Sequence, residues 1–442
     1  MPATTSWGCK RPPSFSATAV FTAFRHPDFR ALWGAFVCSR AIQRMDSMVA
    51  GWLALALSHS PLLVGLMGAA RFAGSILSPL AGVVADRHDR RQVLLYTSAG
   101  MAFLVLGLLF LVATRRLHLW HLFVATTLWG LLAAFQLPAQ ESVQADVLSG
   151  QELANGVALT NLAMNLTTIA APVLGGALLA FGAPQLRQLE RDAGAALSPG
   201  EVTAGVEWYY AALLGLHGLQ GLSYLCLSSR PRHAAPASAS LWRHLRQGLH
   251  HSRTTPSLWT PLACAGILNL TAFPLQFGLL PLFADEVFHV GASGLGLLNA
   301  AIGVGSLLGS LGMAALGSLP RAARLMRLGA FLWLALLLVF SVTSSYAAAL
   351  GVLVALGVAQ SLALTSINLL LLGTASDAMR GRIMGLRFLA VAPLPLGNAL
   401  CGALAAHLGP SLAAAFSGGL GLLLLLGIAP FVPKAAMPPR YS

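Results

Sequence analysis

Charge is what this chain has least of. Only 9% of its 442 residues are charged and 56% are hydrophobic, with a mean hydropathy of +0.73. A soluble domain carries about a quarter charged residues, so a soluble protein of this make-up could not cover its own surface. Lysine is nearly missing, with Lys10 and Lys434 at the two ends. No G-x-x-x-x-G-K-[ST] loop occurs, which removes the usual cradle for nucleotide phosphates and with it ATP hydrolysis of that kind. Five cysteines, Cys9, Cys38, Cys226, Cys264 and Cys401, are scattered without metal spacing or a disulfide framework. No cleavable signal opens the chain; residues 1–30 are polar and proline-bearing. No metal, organic cofactor or enzymatic constellation is expected.

What is present is apolar length. A spanning helix needs about 20 apolar residues, and the chain has room for about twelve. The expected spans are 32–57, 61–84, 92–113, 118–139, 153–181, 208–228, 258–283, 293–316, 325–343, 346–372, 383–407 and 411–432. The fold class is an all-α integral membrane protein. The net charge of +13 does not point to nucleic acid, because the basic residues are thinly spread between apolar runs. With the N-terminus inside, twenty of the 27 Lys and Arg fall in inner segments, four in outer loops and three (Arg40, Arg44 and Arg71) within spans. That asymmetry favours an even span count with both termini inside.

A basic stretch, 229–257, divides two sets of six spans. The expected organisation is a cytoplasmic segment 1–30, a first bundle 31–228, the linker 229–257, a second bundle 258–432 and a tail 433–442. The stretch Leu241–Arg246 fits a short helix on the inner leaflet. The outer loop 183–207 is long, with a small helix expected at 184–193.

The most informative segment is Gly82-Val-Val-Ala-Asp86-Arg87-His88-Asp89-Arg90-Arg91, an acidic and basic turn between two long apolar runs. Around it lie His26-Pro27-Asp28-Phe29-Arg30 before span one, Ser60-Pro61-Leu62-Leu63-Val64-Gly65-Leu66 opening span two, and Gln151-Glu152-Leu153-Ala154-Asn155-Gly156 opening span five. Leu280-Pro281-Leu282-Phe283-Ala284-Asp285 ends span seven, and Arg380-Gly381-Arg382-Ile383-Met384-Gly385-Leu386 opens span eleven. With these motifs the chain resembles the major facilitator superfamily of secondary transporters over residues 21–432, and within it the branch of bacterial enterobactin exporters and macrolide efflux proteins. It departs from many proton-driven antiporters in three places. Ala171 stands before Pro172 where a glycine is usual, span four has no arginine, and the second-half loop 317–324 has no aspartate.

The resemblance implies a fold of two six-helix bundles and alternating access. It implies that Gly82, Asp86, Arg87, Asp89, Arg90 and Arg91, with Arg380 and Arg382, form a cytoplasmic gate. Asp86 would meet a helix N-terminus of the opposite half, where the dipole favours a carboxylate. The loop arginines would engage Glu141, Asp146 and Glu152. The bland reading is an inner loop charged only for topology, which the D-R-x-D-R-R spacing disfavours.

Span one is unusual. Arg40, Gln43, Arg44 and Ser47 recur at i, i+3, i+4 and i+7, one polar stripe on a helix. A charge at mid-bilayer costs about 3 kcal/mol or more, so it faces a cavity or a partner. Asp46 lies eleven residues below the outer end of its span and Arg71 ten residues into the next, so the two sit at similar depth and are expected to pair. Arg44 competes for Asp46. Asp46 is the candidate proton-coupling residue, against a permanent structural pair or a substrate contact. The cations Arg40, Arg44 and Arg71 suit an anionic or partly anionic substrate, unless they are purely structural. In this fold spans one, four, seven and ten line the cavity, which ranks Gln136, Asn269, Gln276, Gln360 and Asn368 as lining; some polar groups only glue helices.

The function expected is proton-driven export of an amphipathic small molecule, siderophore- or drug-like, from a bacterial inner membrane. Export itself comes from the resemblance. The alternatives are a lysophospholipid flippase or a facilitator of the same fold, and a non-transporting receptor or scaffold. A channel lacks its filter sequence here. The expected partners are the substrate and membrane lipids, with a monomer as the working unit and no nucleic acid.

Overall fold

The computed structural model describes residues 21–77, 88–182, 205–228, 256–316, 319–374 and 390–428. Among these residues there is helix and no strand. A single 3₁₀ turn, Phe21–Arg25, leads into α1 (Pro27–Ser58). Then come α2 (Pro61–Phe72, continued by a 3₁₀ segment Ala73–Leu77), α3 (Arg90–Ala113), α4 (Leu119–Val147), α5 (Gly150–Gly182) and α6 (Glu207–Leu225). The later helices are α7 (from Pro256), α8 (Gly291–Leu316), α9 (Leu319–Ser341), α10 (Tyr346–Thr374) and α11 (Pro393–Ile428). The linker stretch 229–255, the outer-loop stretch 183–204 and the gate segment 78–87 lie outside the described residues.

Helix ends depart from the apolar count for local reasons. Pro27 sits in the first turn of α1, where its missing N–H is not needed, so the helix begins at 27 rather than 32. Asp89 caps α3 by accepting from the Arg91 backbone N–H at 3.0 Å. α4 runs on through Pro138 to Val147, well past the apolar end at 139. α7 is interrupted: after Thr271 it resumes as two π-helical turns, Leu275–Leu279 and Phe283–Val287, around Leu280–Leu282. Pro274 and Pro281 supply no N–H for an α ladder there. Residues 390–392 form a turn, so α11 begins at Pro393 rather than 383, and it carries the last two expected spans in one piece, bent at Gly409 (φ 81°, ψ 164°) before Pro410.

Eight described helices are long and apolar enough to cross a membrane. α1 and α6 are not among them, because polar residues on each lower its hydropathy. These two helices pack on each other. The Asp28 carboxylate accepts from Ser228 N–H (3.0 Å) and Oγ (2.9 Å), and a Cβ on Gly34 would lie 3.7 Å from Ser223 Oγ. The antiparallel register this sets puts Asp46 level with Tyr210 and Ser39 level with His217. Trp120, Phe181 and Trp208 are exposed at one common end of α4, α5 and α6. Such a ring of aromatics suits a membrane interface.

Close glycine contacts join early helices to late ones. A Cβ on Gly65 of α2 would lie 2.5 Å from the Asn398 carbonyl oxygen and 2.6 Å from the Gly402 Cα of α11. A Cβ on Gly296 of α8 would lie 2.5 Å from the Pro172 carbonyl oxygen of α5. Backbones this close replace the hydrophobic drive that lipid cannot supply.

Candidate substrate cleft and buried ion pair

The polar stripe of α1 meets α2 in an ion pair. Arg71 Nη1 donates to Asp46 Oδ2 at 2.6 Å, with both side chains buried, and Arg71 Nη2 donates to the Gln43 carbonyl at 3.0 Å. The guanidinium also lies 4.3 Å over the Trp129 ring of α4. A hydrogen bond to each side and an aromatic face make this a fully occupied guanidinium, the condition under which a buried pair holds. On the far side of the pair, Asp46, Ala50, Trp129 and Tyr210 line a small cavity.

Arg40 lies one and a half turns below. Its Nη1 donates to Gln43 Oε1 at 2.9 Å and its guanidinium stacks 4.7 Å over Phe36, while Nε is buried without an acceptor. Ser39 Oγ donates to Gln136 Oε1 (3.2 Å), leaving Gln136 Nε2 without a partner.

Arg44 is different. Among the described residues it makes no ion pair and no hydrogen bond. It faces a cleft bounded by four helices: Ser47 and Met48 of α1, Thr168 and Pro172 of α5, Gln276 and Phe277 of α7, and Asn299 and Ile302 of α8. The cleft is about 20 Å³, room for a water molecule and not for a drug-sized ligand. Gln276 Nε2 donates to Gln360 Oε1 at 3.0 Å, tying α7 to α10 beside it. Asn269 turns away, buried and donating to Ala265 O of its own helix at 2.8 Å. Asn368 is half-buried, and its Oδ1 has no partner.

At the loop end, Arg90 pairs with Asp146 of α4 and donates to Ser142 O at 3.1 Å. Arg91 donates to the last carbonyls of α6, Leu225 O at 2.7 Å and Tyr224 O at 3.3 Å, where a cation meets the negative end of the helix dipole. Glu152 meets His26 at 3.0 Å. Glu141 is exposed, and Arg40 lies within its field. Gly82, Asp86, Arg87, Arg380 and Arg382 lie outside the described residues.

The structure adds residues that apolar counting passed over. Thr168 and Asn299 become cleft-lining only through the docking of α5 on α8. Tyr210, His217, Gln220 and Tyr224 of α6 are buried on the face that meets α1. Their spacing of seven, three and four was the available signal.

An all-helical bundle with membrane-length apolar helices, a buried ion pair and a cleft between early and late helices defines an integral membrane protein of transporter architecture. A model of the Major Facilitator Superfamily matches residues 32–395, and the chain belongs to that family. It is 27% identical over 412 residues to Enterobactin exporter EntS of Shigella boydii serotype 4 (strain Sb227), covering 90% of each chain. It is 28% identical over 420 residues to Enterobactin exporter EntS of Citrobacter koseri, covering 91% of this chain and 92% of that one. A solved bacterial homolog of the human lysosomal transporter Spinster, inward-facing and occupied, superposes with a TM-score of 0.67 at 17% identity, over 91% of both chains.

Proposed function

We propose that this chain is a secondary active transporter that exports an anionic, amphipathic small molecule of the catecholate siderophore kind in exchange for protons. Arg44 carries the reading. It is a guanidinium held in the cleft between early and late helices with no carboxylate to neutralise it, while Asp46, two residues on, is committed to Arg71. A cation left unmatched in a low-dielectric cleft favours a ligand that brings the negative charge. The names of the enterobactin exporters support the same class of cargo.

In this reading twelve crossings form two six-helix bundles, 31–228 and 258–432, with both termini and the linker 229–257 in the cytoplasm of a bacterium and the spans in its inner membrane. α11 supplies the last two crossings on either side of Gly409. A cleft of about 20 Å³ admits a siderophore only when the bundles part. Gly82, Asp86, Arg87, Asp89, Arg90, Arg91, Arg380 and Arg382, with Glu141, Asp146 and Glu152, form the cytoplasmic gate. Gln43, Gln136, Asn269, Gln276, Gln360 and Asn368 complete the polar wall. Asp46 takes up a proton when its hold on Arg71 loosens, since burial and a neighbouring charge are what move a carboxyl between its two states.

The test is gradient-driven flux in proteoliposomes, with a tris-catecholate, a macrolide and a lysophospholipid as separate probes. Flux of the tris-catecholate driven by an imposed pH gradient, lost in Asp46→Asn while binding is kept, supports the reading. Flux of the lysophospholipid alone makes the chain a lipid flippase, and flux indifferent to pH makes it a facilitator.

A further inference from the structure

α6 carries polar side chains that neither the ion pair nor the cleft uses. Tyr210, His217, Gln220 and Tyr224 share one buried face, with His217 2% exposed and Gln220 1%. The register with α1 puts Tyr210 level with Asp46, and both line one small cavity. His217 sits seven residues further along, about 10 Å nearer the end where Arg91 holds the α6 carbonyls. Gln220 follows one turn later and faces His217 without reaching hydrogen-bond geometry. Gln220 Nε2 donates to Tyr224 Oη at 3.3 Å, and the same hydroxyl accepts from Gln140 Nε2 of α4 at 2.6 Å. Gln140 adjoins the exposed Glu141.

The imidazole is the anomaly in this line. Both of its nitrogens, and Gln220 Oε1 beside it, are buried without a protein partner. A histidine kept for packing would satisfy at least one nitrogen, because each orphan costs a few kcal/mol. Leucine or phenylalanine would fill the space at no such cost. A site with several orphaned polar atoms fits bridging water.

We propose that His217 is the residue through which Asp46 exchanges its proton with the side of the membrane that bears the arginine loop. This rests on the proton-coupled reading above. The Asp46 carboxylic acid gives its proton, through water at the Tyr210 cavity, to one nitrogen of the neutral imidazole. The ring releases a proton from its other nitrogen to water held by Gln220, Tyr224 and Gln140. The Asp46 carboxylate then recovers Arg71, and the ring turns over to restore its first tautomer. One proton moves, and only O–H and N–H bonds are made and broken.

The charged and titratable groups around the imidazole are few. α1 brings Asp46, which favours the imidazolium, and Arg40, which opposes it; α2 brings Arg71, also opposed. α6 itself brings Tyr210 and Tyr224, and α4 brings Gln136, Gln140 and Glu141. The buried polar residues of α3 are Thr97 and Ser98, and α5 brings Thr167.

Two measurements on the full chain in liposomes test this. The first uses ¹⁵N-histidine labelling, with the His217 signals assigned by their loss in His217→Gln. The expected result is ring N–H protons that exchange with water and shifts that respond to Asp46→Asn. Protons locked against exchange and shifts indifferent to Asp46→Asn overturn the proposal. The second is pH-gradient-driven flux of a tris-catecholate probe. His217→Gln, which hydrogen-bonds but carries no proton, should lower gradient-driven flux by roughly tenfold or more and leave gradient-free exchange of the probe close to wild type. Drive lost in Asp46→Asn but kept in His217→Gln overturns the relay and leaves the coupling reading standing. Drive kept in both overturns the two together. If the wild type does not move the probe, the resonance measurement decides. If His217→Gln does not fold, His217→Asn takes its place in both.

Discussion

Arg71 and Asp46, 25 residues apart in the chain, meet at 2.6 Å on neighbouring antiparallel helices. Removing either partner alone strands a buried charge, which costs about 3–5 kcal/mol, whereas replacing both by apolar residues of similar size is near neutral. Arg71→Met should therefore lower the thermal unfolding midpoint in detergent sharply, and Asp46→Leu with Arg71→Met should recover most of it. A double variant no more stable than the single one would mean that the pair is not a closed unit.

Arg44 should govern affinity for anions. A hydrogen bond to a charged group is worth about 1.5–3 kcal/mol, so Arg44→Gln should weaken tris-catecholate binding by roughly ten- to a hundredfold. Arg44→Lys keeps the charge but not the fork and should fall between. Titration of tryptophan fluorescence measures both, and equal affinity in all three proteins would remove Arg44 from the site.

The seam between α2 and α11 has no space for a side chain. Gly65→Val would press against Asn398 and Gly402 backbone already at 2.5–2.6 Å from a bare Cβ position. The expected result is a shift of the population toward a state with this seam parted, seen as a longer spin-label distance between α2 and α11. An unchanged distance distribution would mean that the seam is not a moving surface.

At the loop end, Arg90 and Asp146 are partly exposed, and an exposed pair contributes about 0–1 kcal/mol to stability. Asp146→Asn should thus barely move the unfolding midpoint while altering flux, because small differences still shift two nearly balanced states. The charge-swapped pair, Arg90→Asp with Asp146→Arg, should restore flux in part. A large fall in stability with unchanged flux would make the pair structural.

Apolar runs and loop charges carry most of the helix positions, because twenty apolar residues can do little else in a chain of this hydropathy. Counting residues from the ends of two antiparallel helices is also enough to put Asp46 opposite Arg71. The face of α6 was harder to read. Tyr210, His217, Gln220 and Tyr224 sit inside an apolar run, and their helical spacing passes unnoticed while the run is only being measured for length. The π turns of α7 were hidden for another reason. Each adds a residue to a turn and rotates the rest of the helix, so the side that Asn269 presents relative to Gln276 does not come out of 3.6 residues per turn. Thr168 and Asn299 reach the cleft through the docking of α5 on α8, a tertiary fact with no local signature.

The solitary Arg44 has an electrical consequence. The guanidinium stays with the protein when a bound anion leaves, so the cargo carries its own negative charge out. A proton returning the other way adds to the same inward current. Export of this kind is electrogenic, and an inside-negative voltage drives it at about 2.3 kcal/mol per elementary charge per 100 mV. Such a transporter would keep working in a cell whose pH gradient has collapsed, provided that the membrane stays polarised.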